Sequence, residues 1–167
     1  MDESTVESSQ YLTFKLDDEV YATNIAQVRE VLDYSRITKV PRTPEYMRGV
    51  INLRGHVVPV MDLKFKFEIG RTEKTVNTCI VIVEVNLDGE RMIIGALADS
   101  VQEVIEMDPS MIEPPPKIGT TLSANFIRGM GKRDEQFVII LDIDRVFSNE
   151  NLEAIKATVD EPAIAST

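Results

Sequence analysis

Residues 10–16 alternate, with Leu12, Phe14 and Leu16 on one face and Tyr11, Thr13 and Lys15 on the other. A period of two marks a half-buried β-strand. Asp17-Asp18 signals a turn and Val20-Tyr21-Ala22 opens a second strand, so residues 10–23 predict a hairpin. Asn24 is placed to cap a helix, with Gln27 completing a capping box. Ile25, Val28, Val31 and Leu32 then share one arc at helical spacing. Pro41 and Pro44 interrupt the chain before two further strands, 49–55 and 57–61, with a bend at Gly55-His56. Pro59 lacks an N–H and predicts an edge or a bulge there. Residues 68–77 are poor in apolar side chains and read as a loop.

The second half follows the same scheme. Strands are expected at 78–86 and 91–98 around an Asp88-Gly89 turn, and Val101-Gln102-Glu103-Val104-Ile105 echoes Val28-Arg29-Glu30-Val31-Leu32. Pro109 and Pro114-Pro115-Pro116 predict a stiff extended connector. An ungapped match then recurs eighty residues on: Arg48-Gly49 with Arg128-Gly129, Val58 with Val138, Asp62 with Asp142, and Phe67 with Phe147. Many short strands with closely spaced turns favour small barrels over a parallel sheet, and the repeat favours two of them. The expected division is a tail at 1–9, one domain at 10–150 with halves near 10–75 and 76–147, and a C-terminal segment at 151–167. In that last part Leu152, Ile155 and Val159 suggest a short helix ahead of a mobile tail.

Composition narrows the function classes. The 167 residues are 43% hydrophobic, enough for a core, and no apolar run nears the ~20 residues of a membrane span. The first ten residues have neither a basic start nor an apolar centre, so a cytoplasmic protein is expected. A formal charge of −10 and only 6% aromatic residues argue against a nucleic-acid partner, and against an OB-type binding barrel as the alternative reading. One cysteine and one histidine exclude a disulfide within the chain, a multi-cysteine metal site and a multi-histidine zinc site. Cys79, inside an apolar run, is expected as a small buried hydrophobe, and His56 as a solvated turn residue.

No phosphate-binding glycine motif and no nucleophile elbow occur. Gly129-Met130-Gly131-Lys132 reads as a strand-end turn, and Asp62 and Asp142 as caps of following helical turns. No catalytic, cofactor-binding or metal-binding residue is assigned, and recognition is the expected role.

Several segments carry a resemblance, in order and with no large gap across roughly residues 10–150. Gly49-Val50-Ile51-Asn52-Leu53-Arg54-Gly55 followed by Val57-Val58-Pro59-Val60-Met61-Asp62-Leu63 closely resembles the signature of the CheW family. Gln10 to Leu16, Val28 to Leu32, Val40-Pro41-Arg42-Thr43-Pro44, Asp99 to Val104 and Ile112 to Pro116 are similar to that family as well. The resemblance implies an all-β fold of two five-stranded SH3-like barrels around a shared apolar interface. It implies a non-catalytic adaptor joining chemoreceptor cytoplasmic tips to the regulatory domain of the histidine kinase CheA. Recruitment to membrane-associated receptor arrays, without insertion into the membrane, and contact with other CheW-like domains would follow. It places Gln27, Val28, Glu30 and Arg54 at the receptor, where a groove takes the apolar stripe of a receptor helix. For the kinase, the candidates are the apolar edge formed by Ile37, Val40, Pro41, Val50 and Leu53.

Overall fold

The strand pattern places hairpins on two sheets that exchange parts. The computed structural model describes residues 9–115 and 126–147. Strands β1 (Ser9–Leu16), β2 (Glu19–Asn24), β3 (Val28–Asp33), β4 (Met47–Leu53) and β5 (His56–Asp62) lead into a single helical turn, α1 (Leu63–Lys66). Then come β6 (Cys79–Leu87), β7 (Glu90–Ala98), β8 (Ser100–Met107), β9 (Ile112–Glu113), β10 (Ile127–Arg133) and β11 (Gln136–Leu141), closed by α2 (Ile143–Val146). The expected C-terminal helix and the N-terminal tail up to Ser8 lie outside the described residues.

The strands form a six-stranded sheet, β8-β1-β2-β11-β10-β9, and a five-stranded sheet, β3-β6-β7-β5-β4. This corrects the division at 10–75 and 76–147. Each repeat reads hairpin, strand, hairpin, but its leading hairpin sits in the other repeat's sheet. The physical seam is parallel pairing: β7 runs parallel to β5 and β2 parallel to β11. Parallel neighbours need a long crossover and not a tight turn, so chain order does not reveal them.

Both sheets curl. Thr38, just beyond edge strand β3, exchanges 2.8 Å backbone hydrogen bonds with Val50 of the opposite edge strand, β4. Gly49 allows this approach, because a Cβ there would overlap the Thr38 carbonyl. In the other sheet the turn Pro109–Met111 joins edge strands β8 and β9. Gly129 and Gly131 belong to β10 and not to a strand-end turn. A Cβ on Gly129 would meet Ile112 at 2.7 Å, and one on Gly131 would meet Met107 at the same distance.

Each curled sheet encloses its own apolar cluster, Tyr11, Ala22, Ile105, Met107, Val138 and Ile140 in one and Ile51, Val58, Val60, Ile80, Ile82 and Leu97 in the other. The largest cluster lies between them and draws on both, from Leu12, Phe14 and Leu16 to Val81, Val83, Ile94 and Phe147. Strand β1 is therefore buried on both faces, not one: Tyr11 faces the inner cluster and the Thr13 hydroxyl donates to Glu103 O at 2.7 Å. Burial of each large aliphatic side chain contributes about 1.5–3 kcal/mol.

Segment 28–32 is a strand, although its apolar spacing reads as helix. Only Ile25–Gln27 turns helically, as one 3-10 turn, with Asn24 capping the Ala26 N–H at 2.8 Å. Gln27 completes no capping box; its amide donates to Glu84 O and to Asp144 Oδ1. The echo at 101–105 is likewise in a strand. Val31 and Val104, at matching places on the two edge strands, remain 39% and 47% exposed.

Polar ties also cross the junction of the sheets. Lys64 of α1 pairs with Asp17 at 2.6 Å and Asp99 at 3.2 Å. Burial pulls the Lys64 ammonium down, but the two carboxylates outweigh it, so its pKa lies above the ordinary value. Eighty residues on, Asp144 of α2 accepts from Gln27 and from the Asn86 N–H.

Candidate functional site

The tip of the β4–β5 hairpin builds the site. Leu53 pairs with His56, leaving Arg54 and Gly55 as a two-residue loop. Both have positive φ, 52° and 86°, as a type I′ turn requires. The Asn52 side chain accepts the Gly55 N–H at 2.7 Å and braces the loop. Arg54 thereby leans toward β3, where its guanidinium donates to both carboxylate oxygens of Glu30, at 2.7 and 2.9 Å. This fork is a planar, bidentate match, though both groups are open to water. Arg54 hydrogen bonding holds the Glu30 carboxyl below its ordinary pKa.

Beside the fork opens a groove of about 530 Å³. Its floor continues the inner cluster of the five-stranded sheet through Val58 and Ile82, with half-buried Leu53, Val57 and Ile93 above them. Arg29, Arg91 and His56 stand with Arg54 and Glu30 around it. Glu84, on β6, takes a 2.7 Å hydrogen bond from Arg29 and lies 3.1 Å from Arg91 Nε.

Of the residues expected at a receptor surface, the structure brings Glu30 and Arg54 together. Val28 packs into the cluster between the sheets, and Gln27 ties β6 to α2. The residues expected at a kinase surface are dispersed. Ile37 and Leu53 pack on the inner cluster of the five-stranded sheet, and Val50 on the inter-sheet cluster. Val40 is half-buried, with its carbonyl accepting the Thr43 hydroxyl, and Pro41 is exposed. His56 is exposed as expected, but it opens β5 and pairs with Leu53, so the bend lies at Arg54-Gly55 and not at Gly55-His56; Cys79 is half-buried and donates to Asn77 O at 3.2 Å.

Arg29, Glu84 and Arg91 escaped sequence reasoning. The available signal was Glu84, a lone carboxylate inside the apolar run Ile80-Val81-Ile82-Val83-Glu84-Val85. Among the described residues, no three His, Cys, Asp or Glu side chains gather where they could hold a metal ion. No helix among them is long and apolar enough to cross a membrane.

The described fork, hairpin and groove fall inside residues 10–151, which match the family model of the CheW-like domain. The chain belongs to the CheW-like domain family. It is 31% identical over 146 residues to a chemotaxis protein CheW of Klebsiella aerogenes, covering 87% of this chain and 86% of that one. It is 32% identical over 150 residues to the chemotaxis protein CheW of Helicobacter pylori, covering 89% and 87%. The crystal structure of the scaffolding protein TtCheW from Thermoanaerobacter tengcongensis superposes with a TM-score of 0.75 at 39% identity, covering 86% of this chain and 94% of that one. The all-β, two-sheet architecture is thus that of the CheW-like family.

Proposed function

We propose that this chain is a non-catalytic chemotaxis adaptor that couples chemoreceptor cytoplasmic tips to the regulatory domain of the histidine kinase CheA. The observation that carries the reading is the Glu30–Arg54 fork at the lip of an apolar-floored groove, in a chain of the CheW-like family. An apolar groove edged by fixed charges suits a helix that lays its apolar stripe inward and takes its register from polar contacts at the rim. Val28 and Gln27 support that lip from behind: Val28 sits two residues before Glu30 on the same strand, and Gln27 anchors the turn that leads into it.

For the kinase the candidates are Ile37, Val40, Pro41, Val50 and Leu53, of which Pro41 is exposed and Leu53 also lines the groove. Two partners on different faces of one rigid pair of sheets are what coupling requires. The protein reaches the membrane-associated array through its receptor and joins other CheW-like domains there. It supplies position, not chemistry.

The test is co-sedimentation with receptor-bearing vesicles. Wild-type protein is expected in the pellet. Arg54→Glu sets a carboxylate against Glu30 and is expected in the supernatant, with an unchanged circular dichroism spectrum. Normal sedimentation by the folded variant would remove Arg54 from the receptor contact.

A further inference from the structure

Strand β3 covers only part of β6. Their pairing runs from Asp33–Cys79 to Val28–Val83, while β6 continues to Leu87, and no described strand takes over on that side. Glu84 and Asn86, two residues apart, turn backbone groups toward the edge that β3 leaves open. Two side chains stand in for the missing strand. The Gln27 amide donates to Glu84 O at 3.2 Å, as a strand N–H would. Asp144 Oδ1 accepts the Asn86 N–H at 2.9 Å, as a strand carbonyl would. The same Gln27 nitrogen also donates to the same Asp144 oxygen at 3.0 Å, across 117 residues of chain, so both of its N–H groups are used.

Gln27 immediately precedes β3, and the register there carries one extra residue. Val28 faces Val83 but Glu30 faces Ile82, so β3 bulges at Arg29. A bulge re-aims the side chains that follow it. Val28, ahead of it, packs between the sheets; past it, Glu30 lines the groove and Leu32 packs on the inner cluster. A slip of one residue would turn Glu30 to the opposite face and away from Arg54.

The same device occurs at the other corner. Eighty residues before Asp144, at the matching place in α1, Lys64 reaches across to Asp17 and Asp99. That corner lies beside the Asp62–Leu97 end of the five-stranded sheet, away from the Leu53–His56 hairpin tip. Asp144 alone of the two backs the groove.

We infer that Asp144, supplied by the second repeat, is a positioning residue of the receptor lip: it holds Gln27, and through Gln27 the bulge that presents Glu30 to Arg54. The inference rests on the receptor reading and adds to it a residue that acts from behind the lip.

Carboxyl-carbon NMR of Glu30 and calorimetry with a receptor hairpin-tip fragment test it on the full chain. In Asp144→Ala the Glu30 midpoint is expected to rise from its lowered value toward 4.5. Loss of a negative charge alone would push that midpoint down, so a rise reports the geometry. Receptor-fragment affinity is expected to fall about fivefold, as for one lost hydrogen bond. Asp144→Asn keeps an oxygen for both donors and is expected to hold the midpoint low and the affinity at wild type. Gln27→Ala is expected to reproduce Asp144→Ala, and the double variant to add nothing to either. Lys64→Ala, which loosens the other corner, is expected to leave the Glu30 midpoint in place. An unmoved midpoint and affinity in Asp144→Ala would overturn the inference, and so would an equal rise in Lys64→Ala or losses from Gln27→Ala and Asp144→Ala that sum. If Asp144→Ala does not fold, Gln27→Ala decides alone: an unmoved Glu30 midpoint overturns the inference. A receptor fragment that fails to bind wild type, while the Glu30 midpoint still follows Asp144, would sink the receptor reading and uphold the positioning of Glu30.

Discussion

Arg48 donates to Asp62 across 2.9 Å in a nearly closed site, and eighty residues further on Arg128 stands 3.7 Å from Asp142 in a more open one. The same two residue types thus hold the same corner of each repeat, between the last hairpin and the helical turn that follows. Asp62 is fully buried and accepts from Arg48, the Thr72 N–H, the Thr72 hydroxyl and the Phe65 N–H. Asp142 caps the Arg145 N–H at 3.4 Å, much as Asp62 caps the Phe65 N–H at 3.3 Å, but it is less deeply buried.

Asp62→Ala should therefore cost far more than Asp142→Ala. Removing Asp62 strands a mostly buried guanidinium and two Thr72 donors, a loss of about 3–5 kcal/mol. Removing the half-buried Asp142 cap should cost about 1 kcal/mol. Urea denaturation of the two variants checks both values; equal losses would mean that the two corners are not graded by burial.

Gly49→Ala should open the curl of the five-stranded sheet. The residue sits at φ 147°, and an added Cβ runs into the Thr38 carbonyl. The Thr38–Val50 bridge would part, at a cost of about 2–4 kcal/mol. Hydrogen exchange at the Val50 amide should then quicken by orders of magnitude more than at Ile82, which lies on an interior strand. Unchanged protection at Val50 would show that the bridge tolerates a side chain.

Much of this architecture is legible in the chain, and the losses have physical causes. Period-two alternation marks β1, and Asp88-Gly89 and Gly55 mark turns that are indeed tight hairpins. The repeat of Asp62 in Asp142 correctly marks two helix caps. Segment 28–32 misleads because Val28 and Val31-Leu32 are spaced as on a helix, while a register shift between Val28 and Glu30 accompanies the placing of Val28 and Leu32 in different clusters and Val31 stays exposed. Hairpin exchange between repeats is invisible because parallel pairing leaves no local turn signal. Arg54 stands out in the sequence, but its partner Glu30 is set by strand register across the sheet, which no short window carries.

The Glu30–Arg54 fork should show in a titration. Arg54 hydrogen bonding lowers the Glu30 pKa from its ordinary 4.5. A lowered carboxyl pKa means that the pair contributes above the ordinary value and fades as pH falls through the lowered folded one. Carboxyl-carbon NMR should place the Glu30 midpoint below 4.5 in wild type and return it upward in Arg54→Gln. A Glu30 midpoint indifferent to that substitution would mean that the fork is not held in solution.

Coupling itself is tested most directly by sedimentation velocity on a mixture of this chain, a receptor hairpin-tip fragment and the CheA regulatory domain. The account predicts one ternary species with wild type, and with Arg54→Glu a binary complex that keeps the kinase domain and leaves the receptor fragment free. Wild type that binds the two partners only in mutually exclusive complexes would contradict it.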